Sequence, residues 1–305
     1  MIYVWLVLGF ACLIYGGNWL VDGSVKLAKR LGVSPLLIGL TLVGFGTSTP
    51  ELVTSLLAVF DKSEGIAVGN VVGSNIANIL LVLGVAAVIS PVKVDIKSFR
   101  RDGLFLTLAT LALVVAVLLG RIGFLMGCVL VGMLTFYVVY SYVSDKKQQQ
   151  LSDNTPVAGN PIWALGQAVI GIALTVWGAK LLVENASLLA REWNISERVI
   201  GLTIVAVGTS LPELITSIMS AIHKHNDVAF GNVVGSNIYN ALFILGLTAV
   251  FMPIVIRESM GFDLWTMVGA TAALIGVAFW KKEFSRTIGV LFLLAYAGYV
   301  WRLFV

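Results

Sequence analysis

Residues 46–56 read GTSTPELVTSL, and residues 208–218 read GTSLPELITSI, 162 positions later and identical at 8 of 11 places. Each stretch lies in an apolar run long enough to cross a bilayer. Each also sets a carboxylate beside a helix-breaking proline, Pro50–Glu51 in one and Pro212–Glu213 in the other. A charge at the bilayer centre costs about 2.5–3.5 kcal/mol on insertion scales. Two such costs at matched positions call for a bound cation to offset them. A second motif keeps the same offset: GNVVGSNIAN at 69–78 and GNVVGSNIYN at 231–240 agree at 9 of 10 places. Upstream, Gly16/Gly178, Val21/Val183, Leu27/Leu189, Ser34/Ser196, Gly39/Gly201 and Thr41/Thr203 are also pairs, so the chain is an internal duplication.

The setting is a membrane. Of 305 residues, 58% are hydrophobic and 12% charged, and the mean hydropathy is +0.96. A soluble globular chain is about 25% charged. Apolar runs predict ten helices, near 2–25, 34–60, 65–90, 102–120, 123–143, 161–189, 197–222, 228–253, 261–280 and 286–304. The longest connection, SDKKQQQLSDNTPVAGN at 144–160, reads as a flexible linker too short for a domain. The predicted fold is an all-α integral membrane protein with ten transmembrane helices as two inverted five-helix repeats. Its parts are a first repeat (1–144), a cytoplasmic linker (145–160) and a second, inverted repeat (161–305). No cleavable leader stands out before the first run.

Five helices per half is an odd number, so the halves insert with opposite orientation. With the N-terminus outside, 13 Lys and Arg fall on cytoplasmic connections and 6 on external ones. The positive-inside rule thus puts both termini outside. The net charge of +4 is explained by this bias, and no nucleic-acid partner is implied. Cys12 and Cys128 both lie in apolar runs and read as small buried hydrophobes rather than a disulfide. The expected surroundings are the lipid bilayer, and no obligatory protein partner is evident.

On a helix, Thr47, Ser48, Glu51 and Ser55 share one polar face, and Thr209, Ser210, Glu213 and Ser217 repeat it. Pro50 has no N–H, so the Gly46 carbonyl loses its helical partner and backbone oxygens turn off axis. Ser74 and Asn78, with Ser236 and Asn240, add hydroxyls and carboxamides four residues apart. Gly69, Gly73, Gly231 and Gly235, with Asn70 and Asn75, suit either helix packing or a site. An all-oxygen set with two carboxylates, and no His or thiol, suits hard cations; Ca²⁺ takes 6–8 oxygens, and the same cavity can hold Na⁺ instead. Competition for shared oxygens gives antiport without enzyme chemistry or a cofactor. A membrane aspartyl protease would need paired aspartates, and a passive channel would need no counter-ion. Asp22 with Lys26, and Glu184 with Lys180, read as local i, i+4 pairs. His223 and His225 read as a solvated turn.

At these motifs the chain resembles the sodium/calcium exchanger family, within the cation/Ca²⁺ exchanger superfamily, along essentially its whole length. GTSTPE with GNVVGSNIAN, and GTSLPE with GNVVGSNIYN, look like that family's two alpha-repeats. The resemblance implies a Ca²⁺ site centred on Glu51 and Glu213, helped by the Thr47 and Thr209 carbonyls. It implies about three Na⁺ sites built from the same glutamates, the hydroxyls of Ser48, Ser74, Ser210 and Ser236, Thr47 and Thr209, and the carbonyls of Gly44 and Ala206. It implies alternating access by sliding of the first and sixth helices, and a prokaryotic-type protein of the inner membrane without a regulatory domain at the linker. Potassium-dependent members carry an acid where this chain has Asn240; the neutral Asn78 and Asn240 argue against K⁺ co-transport. H⁺/Ca²⁺ exchange is the alternative to Na⁺/Ca²⁺ exchange.

Overall fold

A computed structural model describes residues 2–151, 160–193, 206–256 and 260–304. Its helices are α1 (Ile2–Leu31), α2 (Pro35–Thr47), α3 (Thr49–Phe60), α4 (Glu64–Ile89), α5 (Ile96–Leu118) and α6 (Phe124–Leu151) in the first half. The second half holds α7 (Pro161–Glu192), α8 (Ala206–Thr209), α9 (Leu211–Ile222), α10 (Asn226–Phe251), α11 (Gly261–Trp280) and α12 (Arg286–Phe304). Among the described residues, seven helices are long and apolar enough to cross a membrane, or eight with α2 and α3 counted as one bent span. The expected run at 197–222 falls partly outside the described residues, which resume at Ala206.

The helix starts are written in the sequence. Ser34 caps α2, its Oγ accepting from the Leu37 N–H at 3.1 Å, with Pro35 in the first turn. Asn160 caps α7 in the same way, accepting from the Ile162 N–H at 2.9 Å ahead of Pro161. The layers follow from burial. In α10 and α4, 83% and 72% of the apolar window is buried, against 28% in α6 and 33% in α7 and α11. The two helices carrying the GNVVGSN motifs therefore form the centre. The outer helices turn Trp5, Phe10, Leu125, Trp163, Trp265 and Trp280 outward, an apolar surface suited to lipid.

Helices α1 and α7 pack along a seam of small residues. A Cβ on Gly9 would meet the Gly178 carbonyl at 3.0 Å, one on Gly16 would meet the Thr175 N at 2.7 Å, and one on Gly23 would meet the Ala168 N at 2.6 Å. The partner numbers fall as the α1 numbers rise, so the two helices run antiparallel. Only glycine permits this approach.

Several expectations need correction. The single helix expected at 34–60 is two, bent by 42° at Ser48. The linker expected from 145 begins later, because α6 runs on to Leu151; Lys and Gln are good helix formers and nothing in SDKKQQQL stops the turn. Asp145 there is 4% exposed and accepts from the Ser34 N–H at 2.7 Å and the Ser34 Oγ at 2.8 Å, so it docks on α2. Cys12 is buried, but Cys128 is exposed, on an outward face that an apolar environment makes acceptable. The all-α expectation also missed four two-residue strands: β1 (Val92–Lys93), β2 (Arg121–Ile122), β3 (Ile254–Val255) and β4 (Glu283–Phe284). Pairing is antiparallel, with Val92 opposite Phe284 and Lys93 opposite Glu283, and with Arg121 opposite Val255 and Ile122 opposite Ile254. Exchanging the halves by 162 positions turns the first ladder into the second, register included. Ladders this short carry no readable periodicity.

Candidate ion site

Both GTSxPE motifs break at their serine. Ser48 has φ −82° and ψ 8°, and Ser210 has φ −86° and ψ 4°. The following helix starts with its proline in the first turn, and the glutamate sits in that same turn. The break carries both glutamates inward: Glu51 is 1% exposed and Glu213 is fully buried. The GNVVGSN helices add a matching irregularity. Each widens to a π-helical turn that begins at the motif's last asparagine, Asn78–Val82 in α4 and Asn240–Ile244 in α10. Such turns swing side chains out of α-helical register and are frequent at functional sites.

The four segments meet. Ser48 Oγ donates to Glu213 Oε1 at 3.0 Å, joining the two motifs across the halves. Ser236 Oγ donates to the Gly44 carbonyl at 3.4 Å. That contact needs a bare backbone, since a Cβ on Gly44 would lie 3.0 Å from the Ser236 N and one on Gly235 would strike the Leu40 carbonyl. Thr47, Ser210, Ser74, Ser236, Asn78 and Asn240 are all buried, whereas Thr209 is half-buried. Ala206 opens α8, the first residue of that segment described.

What distinguishes the cluster is its unmet hydrogen bonding. Among the described residues, Glu51 Oε1 and Oε2, Glu213 Oε2, Ser210 Oγ and both polar atoms of Asn78 and Asn240 have no partner. The Oδ1 atoms of Asn75 and Asn237 are in the same condition. Each orphaned buried group costs about 1–3 kcal/mol. Neither glutamate has a Lys or Arg within ion-pair distance among the described residues. The Ser48 bond to Glu213 brings the motif that carries Glu51 against the other half's carboxylate. Burying two adjacent acids beside unpartnered oxygens is unfavourable without a cation, and the donor set is the hard, all-oxygen kind that Na⁺ and Ca²⁺ take.

The model of the sodium/calcium exchanger protein family matches residues 1–143 and 163–305. The chain belongs to that family. The sodium/calcium exchanger MaX1 of Methanosarcina acetivorans is 32% identical to this family member, over 98% of the chain and 97% of the relative. The inner membrane protein YrbG of Escherichia coli is 33% identical, over 97% and 94%. The solved sodium-calcium exchanger NCX_Mj superposes with a TM-score of 0.86 at 31% identity, over 97% of this chain and 98% of that one.

Other sequence-singled residues lie away from this cluster. Asp22 and Lys26 pair at 3.9 Å, and Lys180 and Glu184 at 3.8 Å, both at exposed i, i+4 positions. His223 is exposed, and its Nε2 lies 2.9 Å from Asn18 Oδ1. Two residues that sequence left between packing and function prove informative, Asn70 and Asn232, which hold the backbone of the two glutamates. Their identity across the repeat was the available signal.

Proposed function

We propose that this exchanger-family protein is a secondary antiporter exchanging Na⁺ for Ca²⁺ by alternating access, with Glu51 and Glu213 at the centre of one shared cation site. The observation that carries the reading is the pair of buried carboxylates, without a Lys or Arg partner among the described residues and beside the unpartnered oxygens of Ser210, Asn78 and Asn240. Thr47, Thr209, Ser48, Ser210, Ser74, Ser236, Asn78, Asn240 and the carbonyls of Gly44 and Ala206 complete the ligand set. Two carboxylates balance one Ca²⁺, and roughly three Na⁺ replacing it would carry one net charge, worth about 2.3 kcal/mol per 100 mV of membrane potential. The neutral Asn78 and Asn240 fit K⁺-independent exchange.

The fold reading belongs with the function. Ten spans form two inverted five-helix repeats, 1–144 and 161–305, joined by a cytoplasmic linker at 145–160 whose first turns extend α6. The antiparallel α1–α7 pair and the two interchangeable strand ladders support inversion. Inverted repeats with a site at their junction are a transporter design. The likeness to an inner membrane protein supports that location, and the lysine and arginine bias supports external termini.

The test is Ca²⁺ uptake into proteoliposomes with Na⁺, K⁺ and H⁺ gradients imposed one at a time. Only the Na⁺ gradient should drive uptake. Uptake driven by the pH gradient alone would convert the assignment to H⁺/Ca²⁺ exchange, and uptake without any counter-ion would make the protein a channel.

A further inference from the structure

Two asparagines outside the ligand set make the same pair of bonds in both halves. Asn70 Nδ2 donates to the Glu51 carbonyl and to Ser55 Oγ, each at 3.0 Å. Asn232 Nδ2 donates to the Glu213 carbonyl at 3.2 Å and to Ser217 Oγ at 3.1 Å. An amide nitrogen has two hydrogens, so both bonds form at once and the donor is fully used. The four acceptors lie on the first two turns of α3 and α9, the segments that carry the glutamates. A carbonyl cannot donate, so the nitrogen of each amide must face the glutamate and the orientation of the side chain is fixed.

Asn232 does one thing more. Its oxygen lies 3.1 Å from Thr47 Oγ1, in the other half of the molecule. Thr47 also lies 3.0 Å from the Val43 carbonyl. The Gly44 carbonyl lies 3.5 Å away. These neighbours are acceptors, so Asn232 offers the Thr47 hydroxyl an acceptor from the other half of the molecule. Asn232 is fully buried, while Asn70 is half-buried.

We propose that Asn70 and Asn232 are positioning residues of the ion site. Each clamps the helical turn that presents its half's glutamate, and Asn232 also offers an acceptor to the hydroxyl of Thr47 across the halves. They act through the ligands and do not touch the ion. The proposal rests on the reading of Glu51 and Glu213 as the ion-binding carboxylates.

The test uses the full-length protein in proteoliposomes, with Na⁺-driven Ca²⁺ uptake measured against Ca²⁺ concentration for wild type, N70A, N232A, N70D, N232D and E51Q. The alanine variants should raise the Ca²⁺ KM about tenfold, the scale of one lost hydrogen bond to a site element, with a smaller fall in maximal rate. N232A should exceed N70A, because it also removes the bond that joins Thr47 to the other half. The aspartate variants keep the shape but replace a two-hydrogen donor by an acceptor, so they should raise the Ca²⁺ KM at least as much as alanine. A residue that merely fills space would tolerate aspartate. An unchanged KM in the alanine variants overturns the proposal, as does a wild-type KM in the aspartate variants. If an alanine variant does not fold, the aspartate KM decides alone. Exchange retained by E51Q overturns the site reading and this proposal together. Loss in E51Q beside wild-type behaviour in every asparagine variant overturns this proposal only.

Discussion

Glu51 and Glu213 occupy equivalent places in two nearly identical stretches, yet they live in different surroundings. Glu213 accepts from Ser48, while both oxygens of Glu51 and the hydroxyl of Ser210 have no partner among the described residues. Thr47 reaches Asn232, and among the described residues no matching bond joins Thr209 to Asn70. The cover differs too. Phe45 packs on Tyr239 and Phe243 with ring centroids 5.6 and 5.5 Å apart, beside Ser48 and Leu52. The repeat puts Val207, Ala77 and Leu81 at the corresponding places. Part of this difference is written in the chain, as the aromatic cover is. The hydrogen-bond part is not, because the residues that make the bonds are the same in both halves.

The comparison can be broken first at the carboxylates. Glu51→Gln and Glu213→Gln should each reduce Na⁺-driven Ca²⁺ uptake at least about a hundredfold, the scale of one charged ligand at roughly 3 kcal/mol. Protein yield and melting should stay near wild type. Exchange surviving in either variant would overturn the reading of the two carboxylates as one shared cation site. Next comes charge. Asn240→Asp and Asn78→Asp each add a third carboxylate, and each should shift the Ca²⁺ KM about tenfold and make it steeply pH-dependent. Flux curves across pH measure this, and unchanged profiles would place both amides outside the ligand set.

A smaller effect separates the two serines. Ser48→Ala removes a bond to a carboxylate, worth about 1.5–3 kcal/mol, and should lower Tm by a few degrees. Ser210→Ala removes a hydroxyl that makes no such bond here and should leave Tm nearly unchanged in ion-free buffer. Equal shifts in a melting assay would dissolve the asymmetry. The smallest effect lies at the turns. Asp61-Lys62-Ser63 and His223-Lys224-His225 share one geometry, with φ of 58° at Lys62 and 60° at Lys224, but only the second carries imidazoles. Burial, then the neighbouring His223 and Lys29, hold the His225 pKa below its ordinary value, against the pull of Asp22 and Asp227. The folded turn therefore favours neutral His225. As pH falls below about 6.5, the unfolded chain takes up a proton that the fold resists, and stability declines. His225→Ser should flatten this slope by on the order of 1 °C in Tm between neutral and mildly acidic buffer; an unchanged slope would assign it to other groups.

The glutamates and their hydroxyl neighbours were legible because the repeat doubles every signal and because charge in an apolar run demands an explanation. The bend at Ser48 was half legible: Pro50 announced a lost hydrogen bond, but periodicity alone still reads one helix through 34–60. The π turns at Asn78 and Asn240 were invisible, since a one-residue widening leaves no mark on the apolar periodicity of 65–90 or 228–253. Asn70 looked like any small polar residue in a membrane helix until the Glu51 carbonyl appeared beside it. The extension of α6 was hidden because polar residues past an apolar run look like a loop, whereas Asp145 is in fact seated on Ser34.

The two short strand ladders join different connections. One ties the α4–α5 connection to the α11–α12 connection, and the other ties α5–α6 to α10–α11. Each is only two residue pairs, yet together they act as staples at two ends of the helices that surround the carboxylates. Neither staple includes α1 or α7, whose mutual contact is a seam of glycines set against Leu174, Thr175, Leu182 and Ala168. The ladders therefore fix the ends of α5 and α11 to one another, while α1 and α7 are held by side-chain packing and by single side-chain bonds such as His223 to Asn18.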